Sequence, residues 1–138
     1  MEACATPLAP GHDAVVAVDT LVAGVHFPLD TPAADIGHKA LAVNLSDLAA
    51  MAAEPLAAAV SLTRETRDAS WLAAFRAGLE ALAGVHRVRL GAILERRGPL
   101  CVSVEAIGQV PQGAALTRGG ARPGDAIYVT GTLGDAGL

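Results

Sequence analysis

Apolar and polar positions along the 138-residue chain change period several times, and each change marks an element. Ala14-Val15-Val16-Ala17-Val18 is short and valine-rich, which suits a buried strand. Asp19 and Thr20 interrupt it, and Leu21 to Phe27 can continue it past a bend. Pro28, Asp30, Thr31 and Pro32 then mark a turn. Residues 34–53 predict a helix, with Thr31 or Asp35 serving its N-terminus and Pro55 stopping it. Ala40, Leu41, Ala42, Val43, Leu45, Leu48 and Met51 make this helix apolar nearly all round, which predicts that it sits inside something.

Residues 57–62 predict a second strand, weakened by its alanines. Asp68 or Ser70 can cap a helix over 71–85. Trp71, Phe75, Leu79 and Leu82 recur there at helical spacing and read as a core face. Residues 88–94 and 100–107 predict two more strands, the latter with clear alternation. A turn-rich connector over 108–123 leads to a last strand over 126–130 and a loop with Gly131, Gly134 and Gly137. Strands alternating with helices define an α/β or α+β class.

Composition narrows the function classes. The length is that of one domain. Hydrophobic residues make up 52% of the chain, more than one soluble monomer needs, even with much of it alanine. The excess points to apolar surface reserved for a partner chain or a further domain. A net charge of -4, with Arg96-Arg97 as the one basic pair, excludes a nucleic-acid footprint. Cys4 and Cys101 stand far apart without metal-ligand spacing and read as free buried thiols. The N-terminus has no signal-peptide pattern, and no apolar run approaches the roughly 20 residues of a membrane span. The expected location is the cytoplasm.

Two acids stand out by their surroundings. Asp19 breaks an apolar strand, and Asp47 lies within the apolar helix, three residues after Asn44 and on the same side. A buried carboxylate must be paired, hydrogen-bonded or bound to metal. One reading is a pair of Mg²⁺ ligands serving phosphoryl transfer, since Mg²⁺ takes hard oxygen donors from one or two carboxylates and phosphates. The other is that Asp19 caps a turn and Asp47 accepts a backbone hydrogen bond. The pattern alone leaves both open. His26, a lone histidine with no nucleophile near it in sequence, reads as structural. Gly131-Thr132-Leu133-Gly134 matches neither the Walker motif nor the dinucleotide fingerprint.

Three stretches carry a resemblance. Val18-Asp19-Thr20-Leu21-Val22-Ala23-Gly24-Val25-His26-Phe27 resembles a strand of thiamine-monophosphate kinases. Residues 39–51, with Asn44-Leu45-Ser46-Asp47 inside them, resemble that family's signature helix. Ala115-Leu116-Thr117-Arg118, residues 120–125 and residues 128–135 resemble its passage into a second domain.

The resemblance implies a fold shared with aminoimidazole-ribotide synthetase: a mixed sheet of about four strands flanked by helices. It implies that residues 1–112 form a dimerising, metal-binding N-terminal domain, and that residues 113–138 are a connector and the first strand of a truncated C-terminal domain. It also implies transfer of the γ-phosphoryl of ATP to thiamine monophosphate, giving thiamine diphosphate. By position, Asp19 and Asp47 would hold Mg²⁺, His26 would touch thiamine monophosphate and Arg118 would contact ATP. The N-terminal domains of the superfamily pair, so a homodimer is expected.

Departures from the family pattern weigh against full activity. No Gly-Asp-Asp segment precedes the first strand, and Val18 replaces a common threonine. Ala92-Ile93-Leu94-Glu95 stands where the family has Gly-Gly-Asp-Thr, so Leu94 falls on a metal-binding aspartate. Glu95 could replace it only by a one-residue slip, which on a strand reverses the face. The resemblance therefore implies an impaired fragment with weak Mg·ATP binding and little kinase activity. Its alternatives are a non-catalytic dimerising homologue and another superfamily member. The Asn44 to Met51 run weighs against the latter.

Overall fold

A computed structural model describes residues 5–129 and 131–132. The elements in chain order are β1 (His12–Val22), α1 (Ala33–Ala50), β2 (Glu54–Arg64), α2 (Ala69–His86), β3 (Arg89–Arg97) and β4 (Cys101–Pro111). A single 3₁₀ turn, Arg118–Gly120, follows among the described residues.

β1 runs unbroken, so Asp19 does not interrupt it: Asp19 pairs with Val104 in the ladder to β4. One polar side chain alters the burial of its position but leaves the backbone donors and acceptors free to pair. The bend comes later, at Gly24, whose φ of +76° is open to glycine at little cost.

α1 ends at Ala50, before the expected stop. Ala52 adopts a left-handed φ of +58°, and the Ala53 N–H closes the end on the Leu48 carbonyl at 2.9 Å. Pro55 stops nothing; it lies inside β2 beside a register shift, where a missing ladder donor is tolerated. Nor is α1 enclosed on all sides. Ile36, Gly37, Ala40, Leu41, Asn44 and Leu48 are buried, while His38, Lys39, Ser46, Asp47, Ala49 and Ala50 are exposed. Alanine is small enough to sit on either side, so an alanine-rich helix conceals its own polarity. Its first turn carries Asp35 as expected, but Pro32 holds the N-cap position without a side-chain hydrogen bond, and Thr31 does not cap.

Asp68 caps α2, accepting from the backbone of Ser70 at 2.8 Å and of Trp71 at 3.2 Å. Phe75 and Leu79 are buried on the expected core face, with Trp71 and Leu82 packed at its margin. The two helices cross closely. A Cβ on Gly37 would fall on the Phe75 carbonyl, and one on Gly78 would fall on the Ala34 carbonyl.

The sheet order is β1-β4-β2-β3. β4 pairs antiparallel with both β1 and β2, while β2 and β3 are parallel and joined by the α2 crossover. The expected mixed sheet of about four strands is thus present. β4 runs to Pro111, so Gly108 lies in the strand and not in the connector. Residues 126–129 are exposed and form no strand, against expectation. Thr130, Gly134, Gly137 and Cys4 lie outside the described residues.

Alternation sorts the sheet into two unlike faces. On one, Val15, Ala17, Leu21, Val60, Leu62, Val102, Val104 and Ala106 pack under Ile36, Leu41, Leu48, Phe75 and Leu79. The other is bare: Val16, Val18 and Leu94 are 55%, 62% and 43% exposed. Cys101 belongs to this bare face and is half-buried, not a core thiol. No helix among the described residues is long and apolar enough to cross a membrane.

Candidate functional site

β1 is an edge strand, and a cleft of about 660 Å³ runs along it. Val15 to Val18 form its floor, Asp47, Ala50 and Met51 of α1 form one wall, and Leu116, Thr117 and Arg118 form the other. Asp47 is exposed, contrary to its reading as a buried acid. Residues three apart on a helix are offset by about 60°, and here the offset straddles the solvent boundary. Asn44 goes inward and is fully buried, its amide donating to the Ala40 carbonyl at 3.0 Å. Asp47 goes outward into the cleft. Its exposure leaves the carboxylate open to a cation arriving from solvent.

Arg118 reaches the same cleft from the opposite side. It opens the 3₁₀ turn after a connector tied to α1 by the Leu116 N–H and the Met51 carbonyl, 3.2 Å apart. A carboxylate and a guanidinium therefore line one open groove whose remaining lining is mostly apolar. That arrangement suits a metal-bound polyphosphate: the acid takes the cation, and the guanidinium takes phosphate oxygens.

Asp19 lies next to the cleft floor on β1 but does not line the cleft. Its position is half-buried and shares the helix-covered face with Ala17 and Leu21. His26 stands apart, in the β1–α1 loop. Its Nδ1 accepts from the Val22 N–H at 3.0 Å, which leaves Nε2 as the ring's proton-bearing nitrogen when neutral. Lys39 donates to the His26 carbonyl. Lys39 precedes Asp47 by eight positions, so this anchor is about 12 Å from Asp47 along α1. The structure thus brings Asp47 and Arg118 to one cleft, leaves Asp19 at its margin, and holds His26 separately. No group of three or more His, Cys, Asp or Glu side chains converges as a metal cage among the described residues.

The altered segment 92–95 lies on β3, at the sheet edge remote from β1. Leu94 pairs with Ser61 and belongs to the bare face, opposite in face to Asp19. Glu95 has not slipped. It pairs with Leu62 on the helix-covered face, where its carboxylate holds Arg64 through Nε at 2.9 Å and a second nitrogen at 2.8 Å. Arg64 is buried at 8% exposure, stacks over Trp71 and donates to the Asp68 carbonyl. This cluster escaped sequence reasoning because it depends on the β2–β3 register.

A mixed four-stranded sheet with helices on one face and a cleft at its edge strand defines an α+β domain with one face of the sheet left bare. The family model described as AIR synthase related protein, N-terminal domain, matches residues 1–110, and the chain belongs to that family. Among its relatives are the thiamine-monophosphate kinases of Salmonella typhimurium strain LT2 and Escherichia coli strain K12. Each is 50% identical over 121 residues, covering 88% of this chain and 37% of the relative. The crystal structure of thiamine-monophosphate kinase from Stenotrophomonas maltophilia K279a matches with a TM-score of 0.76 and 48% identity, over 78% of this chain and 34% of that one. The chain therefore spans little more than a third of the length of the curated relatives it matches.

Proposed function

We propose that this chain is the N-terminal module of a thiamine-monophosphate kinase-like phosphotransferase. The observation that carries the reading is that Asp47 and Arg118 line one cleft. In the proposed reaction an oxygen of the thiamine monophosphate phosphate attacks the γ-phosphorus of ATP. The bond to the β,γ-bridging oxygen breaks, and ADP leaves with its electrons. Catalysis of this kind is mostly positioning and charge neutralisation. Asp47 would hold Mg²⁺ on the phosphates, with Asp19 as a second donor beside the floor; the cation would neutralise charge on the transferring group. Hard oxygen donors fit Mg²⁺, and so small a set fits a metal held jointly with phosphates, not one caged by protein alone. Arg118 would bind ATP phosphate, and His26 would meet the thiamine monophosphate.

The same reading makes residues 1–112 the dimerising domain and 113–138 the connector into a second one. It places the protein in the cytoplasm, where ATP is available. Leu94 supports a second reading, a non-catalytic dimerising homologue, because its hydrocarbon side chain cannot ligate metal. One experiment separates the two: Mg²⁺-dependent conversion of thiamine monophosphate and ATP to thiamine diphosphate, with nucleotide binding followed by calorimetry. The expected result is weak Mg²⁺-dependent ATP binding that Asp47→Asn abolishes, with little turnover by the chain alone. Binding indifferent to Asp47→Asn would remove the acid from the site. No binding at all would favour the non-catalytic homologue.

A further inference from the structure

Building on the reading of the cleft as a phosphate site, we infer that Asp13 is its positioning residue, pinning the connector after β4 so that Arg118 stands opposite Asp47. Asp13 sits near the start of β1, paired with Val110 of β4. β4 ends at Pro111, and the chain must then reverse to reach α1. The Gln112 N–H bonds to the Gly11 carbonyl at 2.9 Å, continuing the ladder by one step. Gly113 turns with a φ of +74°, a left-handed conformation that leaves its N–H without a ladder partner. The Asp13 carboxylate accepts that N–H at 2.9 Å.

Beyond this turn the connector is held by Ala115, packed at the margin of the core, and by the Leu116 N–H on the Met51 carbonyl. Two residues later comes Arg118. The far wall of the cleft is therefore a strap held at its start by Gln112 on Gly11 and Gly113 on Asp13, closed by a turn bond from the Ala114 N–H to the Pro111 carbonyl at 2.9 Å, and held again at the end of α1. Among the described residues Asp13 supplies the one side-chain hydrogen bond to the backbone of 112–118, so it is the fastening that a substitution can remove. Asp13 does not line the cleft and acts only through the strap.

The test compares Asp13→Ala and Asp13→Asn with the wild-type chain, since asparagine keeps an oxygen that can accept the Gly113 N–H. Asp13→Val, which favours a strand while removing the acceptor, stands in if the alanine variant does not fold. Amide hydrogen exchange over residues 112–118 is one readout. Binding of Mg²⁺ with a non-hydrolysable ATP analogue is the other. The expected result is about tenfold faster exchange at 113–118 and about tenfold weaker binding in the alanine variant. Exchange within β1, β4 and α1 stays unchanged, and the asparagine variant restores both readouts. Unchanged exchange over 113–118 in the alanine variant overturns the inference, as does faster exchange with unchanged binding. If the wild-type chain binds no nucleotide, the functional reading fails by itself, and the exchange comparison still decides whether Asp13 holds the strap.

Discussion

Arg64 is the residue whose surroundings demand most of a single partner. Its guanidinium is buried against Trp71, and the Glu95 carboxylate supplies the compensating charge. Removing one member of such a pair leaves the other desolvated and unpaired, which costs more than the pair itself contributes. Glu95→Ala is expected to lower stability by about 1–3 kcal/mol, the lower part of the range applying because Glu95 keeps some exposure. The double substitution Arg64→Met, Glu95→Leu should recover most of that loss, measured by urea denaturation. Equal midpoints for wild type and Glu95→Ala would show that Arg64 is content with the Asp68 carbonyl alone. The same pairing bears on function: Glu95 is already committed to Arg64 and is not free to replace the acid that Leu94 displaces.

At the scale of the element, the two helices depend on different devices. α2 is started by the Asp68 carboxylate, and the hydroxyl of Ser70, then the N–H groups of Trp71 and Ser70, hold that carboxyl below the usual carboxylate range. A depressed folded-state value means that the contribution is complete above the unfolded value, near pH 4, and is lost as pH falls through the folded one. Thermal melts between about pH 5 and pH 2 should therefore show a steeper loss for wild type than for Asp68→Ala, the two curves converging at the acid end. Parallel curves would mean that ionisation of Asp68 is not linked to folding.

The crossing of α1 and α2 depends instead on missing side chains. Gly78→Ala puts a methyl group on the Ala34 carbonyl and should cost about 2–3 kcal/mol by forcing the helices apart. Gly84→Ala, on the same helix with nothing within 4 Å, should raise stability by up to about 1 kcal/mol. Chemical denaturation of both variants separates close packing from helix propensity. A neutral Gly78→Ala would refute the close crossing.

For the whole molecule, the unequal faces of the sheet are the main fact. One is closed by helices, and the other presents Val16, Val18 and Leu94 beside a polar row in which the hydroxyls of Thr20 and Ser103 bond at 2.8 Å. A bare face carrying valines accounts for the apolar excess in the composition, and pairing of two copies through it is the proposed assembly. Val18→Glu should then shift the chain toward monomer in sedimentation analysis, without unfolding it, because Val18 is already exposed and its strand pairing is a backbone matter. Sedimentation as a monomer by the wild-type chain at tens of micromolar would refute the pairing.

Periodicity in the sequence determined the existence and order of the helices and of the four strands, because apolar spacing encodes which side of an element is buried. The motif around Asn44 and Asp47 likewise carries the family resemblance in sequence alone, and the family model matches residues 1–110. The strands are longer than periodicity alone predicts, since β1, β2 and β4 continue through Asp19, Pro55 and Gly108, residues that local propensity disfavours but ladder partners accept. Only the tertiary structure decided that Asp47 faces solvent while Asn44 does not, since a helix of alanines has no legible outer side. It also decided that Glu95 belongs to Arg64 and that Asp13 belongs to Gly113. Those partners lie 31 and 100 residues apart, and contacts at such separations follow from register between strands, which no local window of sequence contains.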